Sequence, residues 1–270
     1  MNLFRQIIVE YFFNFKGKMK LFLDHKSYID TSKPLDISLS LSTQVPGLRA
    51  WYVNTPIIQP VKANGFNGSV IEGGAVNFRD VFFNPHGHMT HTECLGHITA
   101  SVHSINTHIK EFFCKAQLIT ISPQDFYNED EDVSDKIIER SQFESITIDE
   151  EVEALVIRTL PNLPSKKTLD YSSTNPPYLS LDCMEIINRY SIKHLLIDLP
   201  SVDREEDNGK LMFHHAFWGV PDKPNYERTI TELIFVENSI PDGTYILELQ
   251  VAPFENDASP SRPVLYAIQE

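Results

Sequence analysis

Cysteine is scarce, with three in 270 residues, Cys94, Cys114 and Cys183, far apart and without a CxxC pair. That excludes a disulfide framework and a structural zinc knuckle built on paired thiolates; free thiols in a reducing cytoplasm are the simplest reading. Basic residues are also few, 23 Lys and Arg against 37 Asp and Glu, for a formal charge of −14. Nucleic acid and anionic membrane surfaces both call for clustered Lys and Arg, so neither is an expected partner. Linkers, internal repeats and low-complexity tracts are missing, and the length suffices for a large buried core. No apolar run is long enough to span a bilayer. The N-terminal MNLFRQIIVEYFFNFKGKMK is interrupted by Arg5 and Glu10, and no small-residue cleavage site follows it. Residues 1–18 are expected to be an N-terminal extension, with Met19 as an alternative start. The same stretch also has the pattern of an amphipathic helix that lies on a surface or a partner.

What is present is mostly strand. LITIS (118–122), EALVIRTL (153–160), KHLLIDLP (193–200) and TELIFVE (231–237) are short apolar runs of the buried-strand kind. TYILELQVAPF (244–254) follows the turn pair Asp242-Gly243, which predicts two strands over 231–254 joined by a tight connection. Helix is predicted over 104–117, from an apolar stripe of Ile105, Ile109, Phe112 and Phe113. A second is predicted over 182–192, from Cys183, Ile186, Ile187 and Tyr190 with an Asp182/Glu185 capping box. The acidic run NEDEDVSDK (128–136) is expected as a solvated loop entering a helix; its spacing does not match a calcium loop. The sum is a mixed α/β chain with more strand than helix.

One segment is dense in ligand chemistry. NPHGHMTHTECLGH (84–97) holds four of the chain's ten histidines, with a glutamate and a cysteine. In an extended chain His91 and Glu93, two residues apart, point to one face and can close on one cation. Gly96 lets the chain turn back so that His97 approaches, and Pro85-His86-Gly87 reads as a bend that aims His86 at the same point. Imidazole with carboxylate suits zinc, manganese or iron. His88 has the weakest case. Cys94, flanked by Leu95 and facing away from Glu93, reads as a small core thiol rather than a nucleophile.

THTECLGH resembles the second half of the HxGTHxDxPxH signature of the cyclase family, which includes bacterial metal-dependent kynurenine formamidases. Thr90 and His91 match its TH, Glu93 stands where the family has Asp, and His97 matches the final His. DISLSL (36–41) is similar to the family's opening strand, IDLPSVD (197–203) to its IDTPSVD loop, FHHAFW (213–218) and TELIFVENS (231–239) to its late His and Glu segments, and SPSRPVLYAI (259–268) to its closing strand. The first motif histidine falls on Gly87, so His86 is taken in its place, with His88 as the alternative. Met89 and Leu95 replace a Gly and a Pro of the signature. The resemblance implies a single swivelling β/β/α domain over 19–270, a homodimer, and one or two divalent ions, zinc first and manganese second. It implies that His86, His91 and Glu93 hold the first metal and that Glu93, His214 and Glu232 hold the second, with His215 the runner-up to His214. The longer Glu93 moves its carboxylate about 1.5 Å further from the backbone than Asp would.

On this reading a metal activates water, and His97 is the general base in hydrolysis of a small amide, formamide, cyclic imide or lactone. Asp203 is expected either to accept a hydrogen bond from a ligand histidine or to cap a turn. YSSTNPPYLSLD (171–182) is expected as a pocket wall or a stiff loop. The competing readings are a metal-binding or regulatory protein of the same fold without turnover, and an oxygen-dependent iron enzyme built on the His-x-Glu pair.

Overall fold

The computed structural model describes residues 19–129 and 132–270, so the extension expected over 1–18 lies outside the described residues. Among them, one large mixed sheet carries the fold. Its order runs Lys20–Phe22, Tyr28–Asp30, Val264–Gln269, Gly243–Glu248, Phe113–Ile121, Ala154–Thr159, His194–Ile197, Thr229–Glu232, His91–Glu93, Ala258–Pro260, with Leu35–Asp36 beside Val264 and Leu265. The four strands Phe113–Ile121, Ala154–Thr159, His194–Ile197 and Thr229–Glu232 are parallel, and the flanking pairs are antiparallel. Parallel strands are covered on both faces and therefore read as unbroken apolar runs. Leu155, Val156 and Ile157 with Leu195, Leu196 and Ile197 are all fully buried in the main core. Helices Met184–Arg189 and Met212–Trp218 pack there through Ile187, Phe213, Phe217 and Trp218.

Four local expectations are corrected. Of the helix predicted over 104–117, only Ile105–His108 is helical, and Phe113–Ile121 is a nine-residue strand. Ala116, Leu118, Ile119 and Ile121 pack the core, while Phe112 and Phe113 stay exposed, so burial of the later apolar residues outweighs the helical stripe. The acidic run enters a strand, Val133–Ile138, antiparallel to Gln124–Asn128. The segments at 231 and 244 do not form a hairpin. Thr229–Glu232 ends at Leu233, whose φ is 55°, and three strands separate it from Gly243–Glu248 in the sheet. The capping box of the helix near 184 is absent. Asp182 instead accepts from the Arg140 backbone N–H at 3.2 Å.

Candidate metal centre

The register of one strand pair builds the site. Glu232 lies opposite His91 and Ile230 opposite Glu93, so His91, Glu93 and Glu232 share a face. Thr92 and Thr231 turn to the other face and hydrogen-bond at 2.8 Å. Thr90 fixes where this pair ends. Its Oγ1 donates to the Leu233 carbonyl at 2.5 Å and accepts from the Leu39 N–H at 2.7 Å. The face opens beyond the carboxyl ends of the parallel strands, where open α/β sheets bind ligands.

Three other segments bring histidines over this face. Asn84 caps the short helix Pro85–His88, its Oδ1 accepting from the His86 N–H at 2.9 Å. Gly87 lets that helix lie against Ala50 and Val53, where a Cβ would come within 2.9 Å of both. His86 then has Nδ1 3.0 Å from Glu93 Oε2 and Nε2 3.0 Å from Asp257 Oδ2. The turn Leu95–Ile98 places His97 Nδ1 3.4 Å from Asp257 and 3.8 Å from Glu93. Helix Met212–Trp218 carries His214, whose Nε2 lies 3.2 Å from Glu93 Oε1 and 3.9 Å from Glu232 Oε1. Asp203 holds that helix start. It accepts from the backbone N–H of Phe213 and His214 and from His214 Nδ1–H at 2.6 Å, so it both caps the helix and orients the ring.

The two doubtful histidine pairs separate in space. His88 Nδ1 accepts from the Asn84 N–H and its Nε2–H donates to the Asn54 carbonyl, which occupies both ring nitrogens away from the site. His215 Nδ1–H donates to the Val220 carbonyl, also away from it. Cys94 is buried, and that burial pushes its thiol up to about 11, as suits a core residue. The stretch 171–182 does not line the site; Trp51 and Val53 do, in a cavity of about 400 Å³ that also takes in His86, His97, His214 and Glu232. Trp51 and Tyr52 both have φ near 60°, a costly conformation for large side chains. Sequence reasoning missed Trp51 and Asp257, since neither lies in a ligand-like motif.

Charge is organised around Glu93, which is fully buried. Burial raises its carboxyl, but His97, His214 and His86 outweigh this and hold it well below the usual carboxylate range. Burial also works against charge on His86 and His214. The carboxylates of Asp257 and Glu93 beside the first, and of Asp203 and Glu93 beside the second, nevertheless push each up to about 10.

The donor set fits a cation. His91 Nδ1–H donates to the Met89 carbonyl at 3.1 Å, which leaves the lone pair on Nε2. That Nε2 is buried, has no hydrogen-bond partner among the described residues and faces Glu232 Oε2 at 3.3 Å. Glu93 Oε2 is also buried, and the groups facing it are the imidazoles of His86 at 3.0 Å and His97 at 3.8 Å. A lone pair opposed to a carboxylate is costly to bury, and a cation between them satisfies both. Ligand atoms of His91, Glu93 and Glu232 lie within 4.8 Å of one another, and so do those of His86, Glu93 and His97. Both groupings share Glu93. They differ from the expected partition, which put His91 with His86 and left His97 outside.

The Cyclase family model matches residues 35–204, more than half of the chain. His214, Glu232 and Asp257 lie beyond that segment and join it only in space. No curated protein sequence matches the chain. Among solved structures, a potential metal-dependent hydrolase with cyclase activity is similar with a TM-score of 0.60 at 13% identity, over 87% of this chain and 97% of that one. An isatin hydrolase bound to the product analogue thioisatinate aligns with a TM-score of 0.60 at 13% identity, over 88% and 93%. Isatin hydrolase A from Labrenzia aggregata, bound to benzyl benzoate, aligns with a TM-score of 0.61 at 13% identity, over 87% and 93%. At that identity the structures speak for the fold. The family model speaks for descent, and the chain belongs to the cyclase family.

Proposed function

We propose that this protein is a metal-dependent hydrolase that cleaves the C–N or C–O bond of a small amide, formamide, cyclic imide or lactone. The observation that carries this reading is the buried His91 Nε2, without a hydrogen bond among the described residues and opposed to Glu232, beside the buried Glu93 carboxylate with imidazoles around it. His86, His91, Glu93, His214 and Glu232 are the residues that would hold zinc or manganese, as one ion or two. A divalent ion supplies Lewis acidity, polarising a carbonyl and bringing the pKa of water toward neutrality. The protein's own contribution is orientation and proton transfer. Asp203 takes the Nδ1–H of His214 and so turns Nε2 inward. The Met89 carbonyl does the same for His91. His97, half-buried at the cavity wall, is placed to accept a proton from water and return it to the leaving amine or alcohol. Trp51 offers an aromatic wall, which supports an arylformamide-like or other aromatic substrate. Two of the similar structures are isatin hydrolases, which keeps a cyclic amide among the candidates.

A homodimer in the cytoplasm completes the proposal. The ribbon of strands Ile57–Pro60 and Arg79–Phe82 leaves Ile57, Ile58, Val81 and Phe82 exposed on both faces, and an apolar ribbon of this kind is marginal when uncovered. The free thiols suit a reducing compartment. The test is a metal titration of the chain followed by a screen of formamides, cyclic imides and lactones. Tight binding of zinc or manganese with metal-dependent hydrolysis of one class is expected. Metal binding with no hydrolysis of any class would leave a binding protein, and no metal binding would end the reading.

A further inference from the structure

Asp257 comes from the loop before the edge strand Ala258–Pro260, far in sequence from the histidine segment. Pairing of Ala258 with Glu93 brings it to the rim of the site, and its backbone carbonyl accepts from the Cys94 N–H at 3.1 Å. Gly96 makes the approach possible. A Cβ at that position would run into the His103 carbonyl and lie 3.2 Å from Asp257 Cβ. One carboxylate oxygen, Oδ2, then faces two imidazoles at once, His86 Nε2 at 3.0 Å and His97 Nδ1 at 3.4 Å. The two rings lie 4.5 Å apart, tilted by 33°. Each ring also turns its Nδ1 toward Glu93 Oε2, at 3.0 Å and 3.8 Å.

The tautomers follow from which nitrogen Asp257 holds. A neutral His86 that donates Nε2–H to Asp257 has its lone pair on Nδ1, the atom turned toward Glu93 and the candidate cation. A neutral His97 that donates Nδ1–H to Asp257 has its lone pair on Nε2, and its Nδ1 is withdrawn from the ligand set. Without that acceptor, His97 Nδ1 is free to join His86 and Glu93, whose ligand atoms already lie within 4.8 Å of it. The geometry points to Asp257 as a positioning residue that assigns the two histidines different tasks, His86 to the metal and His97 to proton transfer. This inference rests on the proposed hydrolase reading.

The test compares four full-length proteins, the parent, D257N, H97A and D257N/H97A, each stripped with a chelator and titrated with Zn²⁺, then assayed on the best substrate of the screen. Loss of a carboxylate behind a ligand histidine typically weakens metal binding 10–100-fold. D257N is therefore expected to weaken Zn²⁺ binding by roughly that factor in both backgrounds. At saturating Zn²⁺ it lowers kcat about 10–100-fold with little change in KM when His97 is present, and causes no further loss when His97 is already alanine. Unchanged Zn²⁺ affinity overturns the inference, and so do kcat losses that simply multiply in the double variant. If D257N does not fold, D257S replaces it and reads the same two quantities. A parent chain that binds no Zn²⁺ defeats the hydrolase reading itself; a parent that binds and turns over while D257N matches it defeats only the role of Asp257.

Discussion

Two clefts lie at opposite ends of the same parallel strands, and both contain histidines and carboxylates. At the carboxyl ends, the cavity of about 400 Å³ gathers His86, His97, His214 and Glu232. At the amino ends, a larger cleft of about 510 Å³ is lined by His108, Cys114, Glu153, Lys193, His194 and Tyr226, among others. In the larger cleft a lysine stands beside the carboxylate at the strand ends. Lys193 meets Glu153 at 2.6 Å, and His194 Nδ1 has a hydrogen bond with Thr229 Oγ1 at 2.9 Å. Burial pushes His194 down to about 4, so its ring stays neutral. In the smaller cleft, the titratable groups opposite Glu93 and Glu232 among the described residues are imidazoles, and two of those are pushed up to about 10. Size therefore does not mark the site. Carboxylates facing imidazoles without a lysine or arginine to neutralise them do.

The largest expected effect is at Glu93, which both ligand groupings share. Glu93→Gln should abolish tight metal binding and reduce kcat/KM by about 10³-fold or more, read by metal titration and steady-state kinetics. His97→Ala should lower kcat by about 10²–10⁴-fold while metal content stays at the parent level; full turnover with bound metal would remove His97 as the base. Asp203→Asn should weaken metal affinity about 10–100-fold, because His214 loses the acceptor that fixes its tautomer.

The clefts should also differ in the sign of their pH dependence. His86 and His214 are raised when folded, so in the metal-free chain their contribution is complete below the unfolded value of about 6.5. It is lost as pH rises through about 10. His194 is lowered, so its neutral burial costs nothing above about 6.5, and stability falls as pH drops from there to about 4. Thermal melts in chelator should show both limbs, bound metal should flatten the alkaline one, and His194→Leu should flatten the acid one. The smallest effect is expected at the half-exposed Lys193–Glu153 pair. Lys193→Ala should change stability by less than about 1 kcal/mol and leave kcat and KM unchanged. A marked fall in kcat would mean that the larger cleft takes part in turnover.

The histidine segment was the most legible part of the sequence, because i, i+2 spacing in a strand is a local rule and needs no knowledge of the fold. His91 and Glu93 accordingly share a face. The buried parallel strands at 154–159 and 194–197 were legible for the same reason, as apolar runs. The misread regions are those where a local pattern competed with burial. The stripe from Ile105 to Phe113 fits a helix, yet sheet pairing claims the chain from Phe113 onward. Gly243–Glu248 follows a turn signal, but its partners are 113–121 and 264–269, which no local rule specifies.

By itself the sequence determined the chemistry available: imidazoles and carboxylates at strand spacing, few thiols, and a charge that disfavours nucleic acid. Tertiary structure alone decided which members meet. It turned His86 inward and spent His88 on Asn54 and Asn84, and it put His214 against Glu93 while His215 went to Val220. It also brought Asp257 in from 160 residues beyond His97. The reason is physical. Neighbours along a chain share direction only within one element, whereas convergence from separate segments depends on strand order and register, which are set by the packing of the whole core.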